Sequence, residues 1–189
     1  MNTKLTEDEK QYLLKLARET ISNALNQLPE PVVNLEALSP NLLGQGASFV
    51  TLTRHGELRG CIGSLEAHQS LALDVREHAY QAAFEDYRFP PLTRSELPDL
   101  SIEISRLTAP AELTYDAPGD LARELTPGVD GVILQDGYRR ATFLPQVWDQ
   151  LPQAETFLAH LCAKMGSPAD VWKHKMLKVK TYRVEEFHE

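Results

Sequence analysis

The sequence predicts an α+β fold in which helices accompany hairpins of antiparallel strands. Two segments read as strand pairs joined by a turn signal, which is Gly56 in the first and Asp136-Gly137 in the second. Three other segments have apolar residues at helical spacing. A chain of 189 residues can build one substantial core, so a single domain, 1–189, is the default expectation.

The first helix has both a start signal and a stop signal. Thr6 and Glu9 form a capping box, which satisfies free amide groups at a helix N-terminus. Apolar residues then recur at helical spacing as far as Leu28. Pro29 and Pro31 cannot continue a helix, so they are expected to end it.

The other two helices are predicted at residues 71–85 and 154–165. Ser70 is placed to cap the first of these two. In the second, Cys162 borders the apolar stripe, where a cysteine serves as a small core residue.

The first hairpin contains the residues with the most distinctive chemistry. Residues 32–48 are predicted as a loop and Phe49–Thr53 as a strand rich in β-branched and aromatic side chains. Leu58–Ile62 returns as the partner strand after a tight turn at His55 and Gly56.

The register of this hairpin decides what surrounds Cys61. A two-residue loop would place Cys61 opposite Val50 and Arg59 opposite Leu52. Because strand side chains alternate between faces, Arg59 and Cys61 would share one face. A guanidinium beside the thiol would favour the thiolate, which is the nucleophilic and metal-binding form.

Two glycines flank this thiol, and they allow two interpretations. In the first, Gly60 and Gly63 clear space for a ligand around Cys61, or mark a bulge or a close approach of another backbone. In the second, Cys61 is a small buried core residue, as free cysteines often are.

The remaining strands follow from alternation and turn residues. Leu100–Ser105 alternates, with Glu103 and two serines on a face expected to be solvated. Residues 108–129 are predicted to be an irregular segment with a short helix near Asp120–Glu124. If the chain has a subdomain boundary, it is expected in this segment. The second hairpin runs from Gly131 to Leu144.

The last predicted strand, Leu177–Val184, is locally basic. One interpretation is a binding patch for an acidic partner or phosphate. The other, which we favour, is a solvated edge strand whose lysines prevent pairing with another chain.

A charged and aromatic cluster follows the second helix. Asp86 or Glu85 could hold Arg59 or bind a substrate group, and Arg88 could clamp a carboxylate or phosphate. The alternative is a local ion pair that fixes the loop. His78 is a candidate base, although a lone histidine on a helix is more often structural.

Several of these segments resemble the signatures of the AMMECR domain family, the A component of the AmmeMemoRadiSam system of prokaryotes. Tyr87 stands where that family usually has proline. The similar segments, in chain order, are Leu58–Gly63, Ala82–Leu92, Leu100–Ser105, Phe143–Val147 and Phe157–Trp172.

The resemblance covers nearly the whole chain. It implies one α+β unit with mainly antiparallel sheet and flanking helices, arranged as two subdomains around a cleft. It also implies an association with a Memo-like protein and a radical SAM protein, to which any iron–sulfur cluster or S-adenosylmethionine would belong. It implies no known reaction.

Composition excludes several classes of function. The net charge of −8 argues against nucleic acid or an anionic membrane as the main partner. The two cysteines make no disulfide framework and no zinc-finger spacing, so we expect neither a metal nor another cofactor. The polar start, Met1–Asp8, and the absence of a long apolar run lead us to expect a cytoplasmic protein.

Two hypotheses therefore stand. In the first, the protein is a cysteine-dependent enzyme acting on a small anionic substrate. In the second, it is a non-catalytic ligand-binding or adaptor subunit for the Memo-like and radical SAM partners. The residues of the enzyme hypothesis are, for catalysis, Cys61, Arg59, Glu85 and Asp86, and, for substrate binding, Arg88, Gly60, Gly63 and His78.

Overall fold

The structure is a computed structural model and describes residues 4–189. Residues 1–3, part of the polar start considered above, lie outside the described residues. The chain forms two compact units: one runs to Leu107 and takes in Glu185–Glu189, and the other is Thr108–Val184. Each unit contains an antiparallel sheet and helices, which confirms the α+β prediction.

Besides short 3-10 helices, one of which (Arg94–Asp99) contains Glu96, residues 4–189 form fourteen α-helices and β-strands. In chain order they are α1 (Glu7–Leu25), α2 (Pro40–Leu43), β1 (Gln45–Arg54), β2 (Glu57–Gly63), β3 (Gln69–Ser70), α3 (Leu71–Phe84), β4 (Leu100–Leu107), β5 (Ala111–Glu112), α4 (Leu121–Glu124), β6 (Gly131–Asp136), β7 (Arg139–Phe143), α5 (Ala154–Lys164), β8 (Lys178–Tyr182) and β9 (Val184–His188).

The first sheet has the order β2-β1-β4-β9, and the short β3 also pairs with β1. Val50 and Leu52 of β1 lie opposite Ile104 and Ile102 of β4, and all four are buried. They form a core with the apolar faces of α1 and α3. Burying such side chains contributes about 1.5–3 kcal/mol each, so this face holds the unit together.

The first helix agrees with its capping signal. The Glu9 amide donates to Thr6 Oγ1, and the Thr6 amide donates to Glu9 Oε2. The helix ends at Leu25, so Leu28 lies beyond it and is 56% exposed, contrary to the predicted apolar stripe. Ser70 is the N-cap of α3 as predicted, but its side chain makes no cap bond.

Residues 32–48 are more ordered than the predicted loop. Ser39 caps α2 by accepting a hydrogen bond from the Leu42 amide. The strand β1 begins at Gln45 and is already paired with β4 at Ala47. The loop prediction was therefore wrong at its C-terminal end, because pairing to a distant strand overrides local turn signals.

The second sheet has the order β5-β8-β6-β7 and packs on α4 and α5. The rings of Trp148 and Phe157 stack in its core at 3.7 Å between centroids. Cys162 is fully buried in the same core, as predicted, and burial raises the pKa of its thiol.

The basic C-terminal segment is two strands instead of one. β8 belongs to the second sheet and β9 to the first. The prediction of an edge strand was wrong, because β8 lies between β5 and β6. Lys178 and Lys180 of β8 are exposed on the face of that sheet.

None of the helices formed by residues 4–189 has the length and apolar character needed to span a bilayer.

Candidate functional site

A β-bulge sets the geometry around Cys61. The turn residues His55 and Gly56 both have positive φ, 53° and 82°, as a tight hairpin turn requires. Thr53 pairs with Leu58, but Leu52 then pairs with Gly60, so the register skips Arg59. Cys61 consequently lies opposite Thr51. The predicted register, with Cys61 opposite Val50, was wrong by one residue.

Gly60 is required by the packing of α3. A Cβ at this position would lie 2.1 Å from the carbonyl oxygen of Ala82, near the end of that helix. Because neighbouring residues on a strand point to opposite faces, Cys61 faces away from α3.

Gly63 is equally enclosed. A Cβ there would lie 2.4 Å from both the Ser48 carbonyl oxygen and the Phe49 ring. The protein itself occupies the space beside both glycines, so they do not open a space around the thiol. The close approach of another backbone, which the sequence also offered as a reason for such glycines, holds at both positions.

Arg59 is held by Glu96. Its Nε donates to Oε1 at 2.7 Å and its Nη2 to Oε2 at 3.2 Å, and both side chains are largely buried. These hydrogen bonds lower the pKa of Glu96 to about 2, which keeps it ionised at neutral pH. The predicted neighbours of Arg59, which were the thiol and Asp86 or Glu85, are thus replaced by a bidentate ion pair with Glu96.

Asp86 and Arg88 form hydrogen bonds with the backbone of Cys61 along the edge of β2 that does not face β1. The Cys61 amide donates to Asp86 Oδ2 at 2.9 Å, and Arg88 Nη2 donates to the Cys61 carbonyl oxygen at 3.1 Å. Arg88 also donates to Asp86 from Nε at 2.9 Å and from Nη2 at 2.6 Å. We call this pair the backbone clamp.

The backbone clamp takes the place of a neighbouring strand. β2 is at the edge of its sheet, where outward amide and carbonyl groups would otherwise need water or another chain. The hydrogen bonds from Arg88 hold the pKa of Asp86, which is 4% exposed, well below its usual range. Asp86 is therefore ionised at neutral pH and is occupied in fixing Cys61.

The side chain of Cys61 lies on the sheet face opposite α3, and the residue is partly exposed. Its Sγ is 3.2 Å from Thr51 Oγ1, within hydrogen-bond distance for sulfur. A thiol held on a rigid strand, with a hydroxyl beside it and an opening to solvent, is suited to nucleophilic attack.

Glu103 lies on the same face. Thr51 pairs with Cys61 on one side and with Glu103 on the other, so the three side chains form a row across β2, β1 and β4. Glu103 is half-buried and the nearby Ser105 is 5% exposed, so the expected solvated face was wrong here. Burial raises the pKa of Glu103, and the charge of Glu186 adds to this.

Two predicted site residues lie elsewhere. His78 is buried on α3, where its Nδ1 is 3.2 Å from Asp74 Oδ2, and Asp74 accepts a hydrogen bond from Ser48 Oγ at 2.6 Å. Glu85 is exposed and lines a groove of about 300 Å³ along α3. The structure therefore brings Asp86, Arg88 and Gly60 to Cys61 but places His78 and Glu85 apart from it.

Three residues of this site were not singled out from the sequence: Thr51 beside the thiol, Glu96 beside Arg59 and Glu103 beside Thr51. Glu96 had a usable signal, because Thr93 and Glu96 have capping-box spacing and form that box. Thr51 was missed because the bulge changed the register. Within residues 4–189, no three His, Cys, Asp or Glu side chains are grouped so as to hold a metal ion.

The chain was compared with known proteins. It is 37% identical to a protein of Methanothermobacter thermautotrophicus over 98% of this chain and 96% of that protein. It is 35% identical to Protein MK0488 of Methanopyrus kandleri over 100% of this chain and 92% of that protein.

Among solved structures, the chain is similar to that of the uncharacterized protein PH0010 from Pyrococcus horikoshii. The TM-score is 0.82 at 32% sequence identity, covering 99% of this chain and 94% of that one. The model of the AMMECR1 family matches residues 14–187, which include both hairpins and all of α3 and α5. On this match and these relatives, the chain belongs to the AMMECR1 family.

Proposed function

We propose that the protein is a cysteine-dependent enzyme in which Cys61 attacks a small anionic substrate. One observation carries this proposal: the backbone clamp fixes Cys61 through both its amide and its carbonyl group, while the residue stays partly exposed. A core cysteine needs no such anchoring, because packing alone holds it. Nucleophiles do need it, since small misplacements cost large factors in rate.

The reaction class is transfer of an acyl or other electrophilic group. Sγ of Cys61 forms a bond to the electrophilic carbon while the bond from that carbon to the leaving group breaks. The thiol proton ends on the leaving group, so charge and atoms balance. A second acceptor then releases the group from the sulfur.

Arg88 supplies the preference for an anion. Its Nε and Nη2 serve the backbone clamp, whereas Nη1 takes no part in those bonds. The side chain is 43% exposed and lies over the Phe89 ring. A carboxylate or phosphate bound at Nη1 would be held close to the Cys61 carbonyl group.

The first experiment measures alkylation of the native protein by iodoacetamide against pH, with mass spectrometry at each cysteine. We expect Cys61 to react readily below pH 8, while buried Cys162 stays unmodified as the internal reference. Cys61→Ser should lose all modification at that position. If both cysteines are inert until the protein unfolds, Cys61 is a packing residue and the enzyme proposal fails.

The charge preference is tested with iodoacetate and iodoacetamide, which differ mainly in charge. We expect the iodoacetate-to-iodoacetamide rate ratio at Cys61 to exceed that of a neutral free cysteine derivative about threefold, as for one partly exposed charge. Arg88→Gln should remove this preference and Arg88→Lys should retain part of it. A ratio that Arg88→Gln leaves unchanged would exclude Arg88 as the anion-binding residue.

An adaptor role is the second candidate, and Tyr87 favours it. This tyrosine is 95% exposed between the two residues of the backbone clamp, and exposed tyrosines are frequent anchors of protein interfaces. On the family resemblance we propose the Memo-like and radical SAM proteins as partners, within one pathway.

The adaptor role is tested by analytical ultracentrifugation with each partner at micromolar concentration. A complex that survives Cys61→Ser but is lost with Tyr87→Ser would favour the adaptor over the enzyme. Sedimentation of the proteins as separate species, with and without small acids, would count against it.

A further inference from the structure

The row formed by Cys61, Thr51 and Glu103 contains a thiol, a hydroxyl and a carboxyl group in that order. Cys61 and Glu103 lie on either side of β1, so their Cα atoms are about 10 Å apart, two strand spacings. That separation is too great for the short thiol to reach the carboxylate directly. Thr51 occupies the position between them.

The backbone geometry explains why Cys61 and Thr51 touch. The Cys61 amide and carbonyl groups point outward to the backbone clamp, so Cys61 and Thr51 form a non-hydrogen-bonded pair of the antiparallel ladder. Side chains of such pairs lie closer together than those of the alternate pairs. The 3.2 Å between Sγ and Thr51 Oγ1 follows from this.

Thr51 can pass a proton in either direction. A hydroxyl carries one donor and two acceptor positions, so Oγ1 can accept from the thiol while donating to a carboxylate. On the other side of Thr51, the Cβ of Glu103 is about 5 Å away by ladder geometry, within reach of a side chain as long as glutamate.

The groups around Glu103 suit a proton acceptor. Burial raises its pKa, the charge of Glu186 on β9 raises it further, and His188 on the same strand opposes the shift. Around Cys61, the charged groups are the two of the backbone clamp: Arg88, and the Asp86 carboxylate that accepts from the Cys61 amide. A carboxyl group with a raised pKa binds a proton more readily at neutral pH than an exposed one.

We propose that Glu103 receives the proton of the Cys61 thiol through the hydroxyl of Thr51. Thr51 Oγ1 accepts the thiol proton as it donates its own to Glu103, so thiol and carboxylate become thiolate and carboxylic acid. The thiolate then forms the bond to carbon, and the proton returns by the same path to the leaving group. This inference rests on the proposed thiol chemistry.

The experiment records the alkylation rate of Cys61 by iodoacetamide from pH 5.5 to pH 10 in the full-length protein. Glu103→Gln should slow the rate near pH 6.5 about a hundredfold, the lower end of what a positioned base contributes. At pH 10, where hydroxide removes the proton, the variant and the wild type should react equally fast. A merely structural defect would change the rate at every pH.

Two variants of Thr51 and one control complete the design. Thr51→Val keeps the shape of the side chain but removes the hydroxyl, so its alkylation rate should depend on pH as that of Glu103→Gln does. Thr51→Ser keeps a hydroxyl and should show the wild-type pH profile. Glu57→Gln removes one exposed carboxylate from the same hairpin and should leave the profile unchanged.

The sign of the change separates a proton acceptor from a charged neighbour. Removing a negative charge that only repels the thiolate would make alkylation near pH 6.5 faster. A rate that is unchanged or faster in Glu103→Gln, with a reactive Cys61 in the wild type, overturns this inference and leaves the enzyme proposal standing. An inert wild-type Cys61 overturns both.

Discussion

The two hairpins, β1–β2 and β6–β7, pair in the same antiparallel way next to their turns, but the first contains one extra residue, Arg59. β6 and β7 pair residue by residue from Asp136 and Arg139 to Val132 and Phe143 without a shift. β1 and β2 begin equally regularly, but their register shifts at Arg59. The regular hairpin lies where the sequence predicted it, although its turn residues are Gly137 and Tyr138 instead of Asp136 and Gly137. The irregular hairpin carries the candidate site.

The difference shows what a single extra residue does. The bulge frees Arg59 to reach Glu96, aims Gly60 at α3 and turns the Cys61 backbone toward the backbone clamp. β-Bulges often re-aim a side chain next to an active site. In the regular hairpin no such redirection occurs, and Arg139 lies opposite Asp136.

The largest effect should come from filling the glycine in the bulged hairpin. Gly60→Ala places a methyl group 2.1 Å from a backbone carbonyl oxygen, which forces α3 or β2 to move. We expect a loss of about 3 kcal/mol in the free energy of unfolding, measured by guanidinium denaturation followed by circular dichroism.

Gly137→Ala in the turn of the regular hairpin is the matched control. Gly137 has φ +60 with nothing near a Cβ, so only backbone strain of about 1 kcal/mol applies. Equal losses in the two variants would mean that the close approach at Gly60 relaxes without cost.

The next effect concerns acid stability of the bulged hairpin. Glu96 has a pKa of about 2 when folded against 4.5 as its ordinary value, so only the unfolded chain gains a proton between these pH values. Stability is thus fully present above pH 4.5 and is lost as the pH falls toward 2. Glu96→Gln should remove up to about 3 kcal/mol of this dependence, seen in urea midpoints against pH.

A smaller effect is expected for the ion pair at the end of the regular hairpin. Lys175 Nζ lies 2.7 Å from Asp136 Oδ1, and the lysine side chain is 56% exposed. Asp136→Asn should cost less than about 1 kcal/mol at neutral pH, because solvent screens the pair and the lysine loses little by returning to water. A cost equal to that of Glu96→Gln at pH 7 would remove the distinction between the two hairpins.

The smallest effect on stability compares two exposed tyrosines. Tyr87 beside the backbone clamp is 95% exposed, and Tyr138 at the tip of the regular hairpin is 92% exposed. Replacing either with serine should change the thermal stability by no more than about 0.5 kcal/mol. Under the adaptor proposal, only Tyr87→Ser should weaken partner binding in a sedimentation titration.

Local signals predicted most of the secondary structure. The capping box of Thr6 and Glu9, the positive φ at Gly56 and the alternation of Leu100–Ser105 each depend on residues a few positions apart. The candidate site was predicted less completely. Cys61, Asp86 and Arg88 were named, and of the two alternatives left open for Asp86 the structure has the local ion pair, with Arg88, and not the pair with Arg59.

The errors share a cause that is visible in particular residues. Arg59 could have met Asp86, Glu85 or the thiol, and nothing in the strand pattern points to Glu96, which is 37 residues away. The C-terminal strand looked like one basic edge, whereas it divides between two sheets after Tyr182. Both the partner of Arg59 and the sheet that each C-terminal strand joins depend on contacts between segments far apart in the chain, which local patterns do not specify.

The sequence by itself determined the α+β class, the start of α1 at its capping box, the location of both hairpins and the identity of the thiol. These depend on backbone preferences and on residues within one turn or one strand. The tertiary structure decided the bulge, the Arg59–Glu96 pair, the backbone clamp and the row of Cys61, Thr51 and Glu103. Each of these is a contact between segments far apart in the chain, and only the packed sheet and α3 fix which atoms meet.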